Sequence, residues 1–360
     1  MDWYCVNVNT GTDVIVSEQE SAESPQRRRE PSMEDVAREA GVSGQTVSRV
    51  VNARGYVGAA TRERVEAAMQ RLGYRPNSAA RALRSGRFRT IGVVMFSFSS
   101  YGNQRTLDAI AVRAAELGYA LTLIPVASSA RETVAGAFRR LEEHAVDGII
   151  IVIEAHQLDE ADIEIPEALP VVFVDSNRSA EHPFVDTDQA QGARFATEHL
   201  LDLGHATVWH VAGPAQSYSA ERRREAWQAT LEARGLDVPD VIEGDWSAES
   251  GHAAGRRLVE IGGVTAVFAA NDQMAIGVLR AFREAELDVP GDVSLVGFDG
   301  LPDAAQLWPP LTTVQQHPER VGALAVDALL AELESEDRRQ TPLVGTELVV
   351  RNSTAAPRAR

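Results

Sequence analysis

The 360 residues contain one cysteine, Cys5, and no lysine at all. A single thiol excludes a disulfide within the chain and any cysteine-built metal cluster. No apolar run reaches the length of a membrane span. Residues 1–30 lack the basic start and unbroken apolar core of a secretory signal, and their end, SEQESAESPQRRREPS, has a disordered composition. These absences imply a cytoplasmic protein, with no membrane partner. No GxGxxG follows the first apolar run, no Walker sequence occurs, and the eight histidines show no HExxH spacing. Neither cofactor, metal nor catalytic residue is expected, and the chain reads as a non-enzyme.

What is present is a sharp division of charge. The whole chain carries a formal net charge of -17, yet residues 31–90 hold eleven arginines against five acids. Residues 91–360 hold twenty-one arginines against forty-one acids. A basic module on an acidic body points to local contact with a polyanion rather than general adhesion to nucleic acid.

The module has the grammar of short helices. Ser32 and Asp35 form an S-x-x-D start for a helix through Ala40, with Val36, Ala37 and Ala40 on one side. Gly41 suits the left-handed stop, and Ser43 can cap a second helix. That helix turns Val47, Val50 and Val51 inward and Gln45, Thr46 and Arg49 outward. A third over 60–72 buries Val65, Ala68, Met69 and Leu72. Two helices about a tight glycine turn, backed by a third, predict a helix-turn-helix. Gln45 can pair bidentately with adenine, while Ser43, Thr46, Ser48 and Arg49 can reach phosphates or base edges. The competing reading is a small helical bundle that binds nothing.

The stretches MEDVAREAGVSGQTVSRVVN and TRERVEAAMQRLGYRPNSAARALRSGR resemble the N-terminal domain of the LacI family of bacterial transcription regulators. The likeness runs through residue 350, with AGP, SYSAERRREAW, GDWSAESG, NDQMAIG and PPLTT as its specific motifs. It adds Asn52 to the DNA contacts. It implies a hinge helix, capped by Asn77, with Ala80 facing the minor groove and Leu83 wedged between base pairs. Eight residues are too few for a stable isolated helix, so such a segment would fold on DNA. The plain alternative is a linker. Residue 44 departs from the pattern: Gly44 stands where galactoside-responsive members carry an aromatic. Residues 1–30 have no counterpart and read as an added tail or a misplaced start.

Beyond residue 90 short apolar runs alternate with helical stretches. TIGVVMF, ALTLIPV, GIIIVI, PVVFVD, TVWHVAG, TAVFAAN and VSLVGFDG read as buried parallel strands, with helices near 103–117, 131–144, 189–203, 220–234, 249–260 and 272–285. The expected fold is an all-α helix-turn-helix domain followed by a two-lobed α/β body with parallel sheets. By resemblance the body is like a periplasmic binding protein, crossed three times near 187, 315 and 345. The expected organisation is a disordered extension at 1–30, the helix-turn-helix domain at 31–76, hinge and linker at 77–88, the body at 89–350 and a tail at 351–360. Lobe one would take 89–187 and 316–345; lobe two, 188–315 and 346–350.

Polar residues gather at strand ends, where ligands of such folds bind. Asp175, Asn271 and Asp299 supply carboxylates and an amide for hydroxyls; Arg223 supplies a fork; Trp246 supplies a flat face for a sugar ring. Helix caps for Asp175 and Asp272, or a surface ion pair for Arg223, are the bland alternatives. The resemblance implies galactoside contacts at Asp175, Ser217, Ser219, Arg223, Trp246, Asn271 and Asp299. Thr187 and Pro318 replace two aromatics of that pattern, and Phe98 or Tyr101 are candidates to replace the lost ring contacts. The implied protein is a repressor released from palindromic operator DNA by a galactoside or similar glycoside. Its smallest DNA-competent form would be a homodimer paired partly through the helix near 103–117, without the C-terminal helix that makes tetramers. A sugar-transport protein and an α/β glycoside hydrolase are the rival readings; the missing signal peptide opposes the first, and the missing catalytic motif the second.

Overall fold

The computed structural model describes residues 31–51, 55–74, 86–95, 100–126, 131–152, 169–175, 182–334 and 343–358. The expected N-terminal extension and hinge helix, with Asn52, Asn77, Ala80, Leu83 and Phe98, lie outside the described residues. The chain divides into two compact units, residues 1–78 and 79–360.

The first unit holds α1 (Met33–Ala40), α2 (Gly44–Val51) and α3 (Ala59–Leu72). The capping box at α1 forms in full: the Asp35 amide donates to Ser32 Oγ at 3.3 Å, and the Ser32 amide donates to Asp35 Oδ2 at 2.9 Å. Gly41 ends the helix at φ 64°, and the Val42 amide donates back to the Ala37 carbonyl at 3.0 Å. Ser43 caps α2 through the Thr46 amide at 3.2 Å. An N-cap of this kind is worth about 1 kcal/mol, a large share for so short a helix. Val36, Val47, Val65 and Ala68 form the fully buried centre, with Val51, Met69 and Leu72 half-buried around it.

The second unit has two sheets. In the first, β1 (Thr90–Met95), β2 (Ala120–Pro125), β3 (Gly148–Val152), β4 (Val171–Val174) and β5 (Phe184–Val185) run parallel in the order β2-β1-β3-β4-β5. The β3 run GIIIV is buried throughout, as a parallel strand covered on both faces must be. Helices α4 (Tyr101–Glu116) and α5 (Arg131–Glu143) follow β1 and β2. The second sheet has the order β11-β10-β9-β8-β6-β7. Its strands are β6 (Trp209–Ala212), β7 (Ile242–Glu243), β8 (Ala266–Ala269), β9 (Ser294–Asp299), β10 (Thr312–Gln315) and β11 (Glu347–Val349). Helices α6 (Gln189–Asp202), α7 (Tyr218–Ala233), α8 (Ala248–Ile261) and α9 (Asp272–Glu284) interleave with them. All pairs are parallel except β11, which joins β10 antiparallel.

The sequence reading gave no helix over α10 (Pro318–Glu334), which returns to the first sheet. Val321, Ala325, Val326 and Leu329 bury with Ile110 and Ala114 of α4 and with the strands of the first sheet. The approach is close: a methyl on Gly322 would lie 2.7 Å from the Thr106 carbonyl oxygen, so only glycine fits there. The chain thus passes between the sheets at three places, after β5, after β10 and before β11. The first and third passages pair with each other through a bridge of Thr187 to Val344.

Residues 351–358 are more than the tail read from the sequence. Ser353 is fully buried; its Oγ donates to the Leu295 carbonyl at 2.6 Å and accepts from the Thr312 amide at 2.8 Å. His205 Nε2 meets the Ala355 carbonyl at 3.0 Å, and Arg358 pairs with Asp292 at 2.6 Å. No helix among the described residues is long and apolar enough to cross a membrane.

Candidate functional site

The first unit presents one polar helix face. Ser43, Gln45 and Arg49 are exposed, Thr46 and Ser48 half-buried, while Val47 and Val50 anchor α2 from beneath. Nothing lies within 4 Å of a methyl built on Gly44, so the start of α2 is open to a partner. Gly55, at φ 75°, rests near the Arg49 side chain, and the Tyr56 that follows is 95% exposed.

In the second unit a cleft opens between the sheets, at the carboxyl ends of β4, β6, β8 and β9. Its empty volume is about 580 Å³, counting its open mouth. Asp175, Ser219, Arg223, Trp246, Asn271 and Asp299 all line it. Two expected contacts fall outside that wall. Ser217 is buried as the N-cap of α7, where its hydroxyl accepts from the Ala220 amide at 3.4 Å. Tyr101 begins α4 and is half-buried, while its neighbours Ser100 and Gly102 reach the cleft.

Arg223 is the hub. Its guanidinium is buried, donates through Nε to Gln189 Oε1 at 2.8 Å and through Nη1 to the Ala270 carbonyl, and lies 3.7 Å from Asp299 Oδ1. It stacks over the Phe298 ring at 3.8 Å and stands 5.4 Å from the Trp246 ring. Asp299 accepts from Gln316 Nε2 at 2.6 Å. Ser219 Oγ donates across both oxygens of Asp175, at 2.9 and 2.8 Å. Asp186, also in the wall, accepts from the Thr187 amide at 2.7 Å and from Arg222.

Trp246 is held from two sides. Asn271 caps α9 by accepting from the Met274 amide at 2.8 Å, and its Nδ2 donates to the Trp246 carbonyl at 3.0 Å. Gly213 leaves room for the indole, since a methyl there would come within 2.3 Å of the ring. The neighbouring Asp272, offered from the sequence as a simple cap, is buried instead against Thr313 Oγ1 at 2.6 Å and the Leu301 amide at 2.7 Å.

Burial governs the acids. It raises Asp299 to about 6, opposed by Arg223 and Gln316. It raises Asp272 to about 7, with help from the Asp299 charge. Burial also raises Asp175, opposed by the Ser219 hydrogen bond, and lowers Arg223 against the attraction of Asp299. Asp186 is pushed up to about 8 by burial and then by Asp175, against Arg222. Backbone strain marks the same place: Asp175, Trp246 and Asp299 take φ of 56°, 73° and 111° without being glycine. Such strain persists where surrounding contacts over-determine it, which is common at binding sites.

Residues 32–77 match the family of bacterial regulatory proteins, lacI family, and residues 197–354 match a periplasmic binding protein-like domain. The lactose operon repressor of Escherichia coli (strain K12) is 38% identical over 328 residues, covering 90% of each chain. The lac repressor dimer solved with operator and the anti-inducer ONPF superposes with a TM-score of 0.81 at 36% identity, over 91% of this chain and 100% of that one. The complex of the regulator CelR with cellobiose gives a TM-score of 0.65 at 32% identity, over 90% and 99%.

Proposed function

Because the chain belongs to the LacI family of bacterial regulatory proteins, sequence-specific DNA-binding repressors governed by a small-molecule effector, we propose that its effector is a galactoside or a closely similar glycoside. The carrying observation is the convergence of Asp175, Ser219, Arg223, Trp246, Asn271 and Asp299 on one cleft. Carboxylates accept from sugar hydroxyls, the guanidinium donates to them, and an indole covers the apolar C–H face of a ring. Relatives named for a lactose operon and solved with cellobiose support the same ligand class.

The α2 face reads operator bases and phosphates, with Gln45 and Arg49 as its leading contacts. One eight-residue helix spans only a few base pairs, so a homodimer reads a two-fold operator. Residues 77–88 join the DNA unit to the body and fold as a hinge on the operator, with Asn77 as cap, Ala80 at the groove and Leu83 as the wedge. Sugar releases DNA because it binds more tightly to the arrangement that cannot hold operator; that difference in affinity sets the size of the response.

The test is an anisotropy titration of a duplex enriched from random sequence by this protein. It is run alone and with lactose, methyl β-galactoside, cellobiose or ribose. A fall in operator affinity confined to galactosides or similar glycosides is expected. Indifference to every sugar would reject the effector class, and tighter operator binding with sugar would reverse the sign of regulation.

A further inference from the structure

Asp186, in the wall of the cleft, pairs with Arg222 behind it, and sugar recognition does not call upon that pair. Asp186 sits in the first passage between the sheets, directly after β5. Its carbonyl accepts from the Val344 amide at 2.7 Å, and the Asp188 amide donates to the Val344 carbonyl at 2.8 Å, so the residue belongs to the paired passages themselves. Its carboxylate, 2% exposed, spends one oxygen on the Thr187 amide and the other on Arg222. Arg222 belongs to the second turn of α7, which packs on the second sheet, and its side chain is three-quarters buried.

The adjacent residue repeats the pattern. Arg223 donates to Gln189, three residues beyond Asp186, where the same passage enters α6. Gln189 in turn lies 3.5 Å, the limit of a hydrogen bond, from Gln316 of the second passage, and Gln316 holds Asp299. Two of the three successive arginines of α7, Arg222 and Arg223, therefore bond to residues 186 and 189, where the first passage enters α6. Ser219, one turn earlier on α7, ties to Asp175 at the end of β4.

We propose that Asp186 and Arg222 are a positioning pair: they clamp the start of α7 to the crossing strands, and so fix Ser219 and Arg223 in register with Asp175 and Asp299. An unpaired Arg223 could follow a ligand with many rotamers; one whose helix is anchored one residue away is pre-organised. Removing Arg222 takes the guanidinium donor from the buried Asp186 carboxyl, and removing Asp186 takes from Arg222 its buried acceptor. The pair also ties any movement of one lobe over the other to the geometry of the cleft, whatever sugar fills it. The inference concerns the ligand-free protein and stands apart from the identity of the effector.

Hydrogen exchange on the ligand-free full-length chain tests it, comparing wild type with Asp186→Asn, Arg222→Gln, Arg222→Lys and the Asp186→Asn/Arg222→Gln double variant. Losing a charged hydrogen bond should speed exchange by about tenfold or more in segments 184–191, 217–224 and 343–349, and leave α9 unchanged. The double variant should exchange no faster than the worse single one, because both remove the same interaction. Arg222→Lys, which keeps the charge, should restore most of the protection. If Asp186→Asn does not fold, the Arg222→Gln and Arg222→Lys comparison carries the same contrast. Unchanged exchange in these segments, additive single effects, or equal losses in Arg222→Gln and Arg222→Lys would overturn the clamp. A clamp confirmed in a protein that no glycoside releases from DNA would leave this inference standing and sink the proposed effector.

Discussion

Arg223 and Asp299 face each other at 3.7 Å, and each is held from a different passage between the lobes: Gln189 accepts from the arginine, and Gln316 donates to the aspartate. A ligand hydroxyl placed beside the pair, on the cleft side, meets a donor and an acceptor already aimed. Asp299→Ala should remove a charged hydrogen bond to the effector, roughly 1.5–3 kcal/mol, and give a repressor that binds operator but ignores sugar. Operator affinity measured with and without galactosides checks this. A variant that responds as well as wild type would remove Asp299 from the site.

Arg49→Ala should weaken operator binding without disturbing the fold, since Arg49 is exposed and lends its charge to the α2 face. Titration at matched salt is the measurement. Unchanged affinity would mean that α2 meets DNA through another face.

Leu83→Ala should narrow the gap between operator and scrambled duplex. Unstacking a base step is rewarded only where the step is the right one, so non-specific binding should hardly move. An unaltered ratio of the two affinities would reduce residues 77–88 to a linker.

Gly213→Ala should dislodge the indole, because the added methyl would stand 2.3 to 2.7 Å from three atoms of the Trp246 ring. Overpacking of this kind destabilises by about 1–3 kcal/mol. Urea unfolding should show that loss, and sugar response should fall with it while operator affinity holds. If neither stability nor response changes, the ring is not seated on Gly213.

The Asp272 carboxyl keeps its proton in the folded protein up to about pH 7, against 3.8 when unperturbed. Between those values the folded chain binds more protons than the unfolded one, so this group lowers stability as pH rises from about 4 to about 7. Asp272→Asn should therefore gain on wild type across that window and hold its lead above it. Melting temperatures of both proteins from pH 4.5 to 8 give the comparison; a constant gap would contradict the assignment.

Local rules carried the sequence reading far. Ser32, Asp35, Gly41 and Ser43 act through contacts three to five residues away, and each does what its chemistry foretold. The buried runs became strands because VVFV and GIIIV satisfy a sheet covered on both faces. Most of the cleft was legible too, since the ends of parallel strands gather polar residues in one place. What escaped depends on distance in the chain. Gln189 and Gln316 are 127 residues apart and matter only because two passages meet. The helix α10 carries apolar residues at helical spacing, yet its partner is α4, two hundred residues earlier.

The buried anchor at Ser353 has a practical consequence for anyone cutting the chain. The strands β9 and β10 are finished by a segment that comes after every other element of the body. An exopeptidase trimming the C-terminus should stop near Ala355, where the backbone is bound by Ser294 and His205. Truncation short of that peg would uncover the Thr312 amide and the Leu295 carbonyl together, so the safe place to shorten this protein lies within its last few residues.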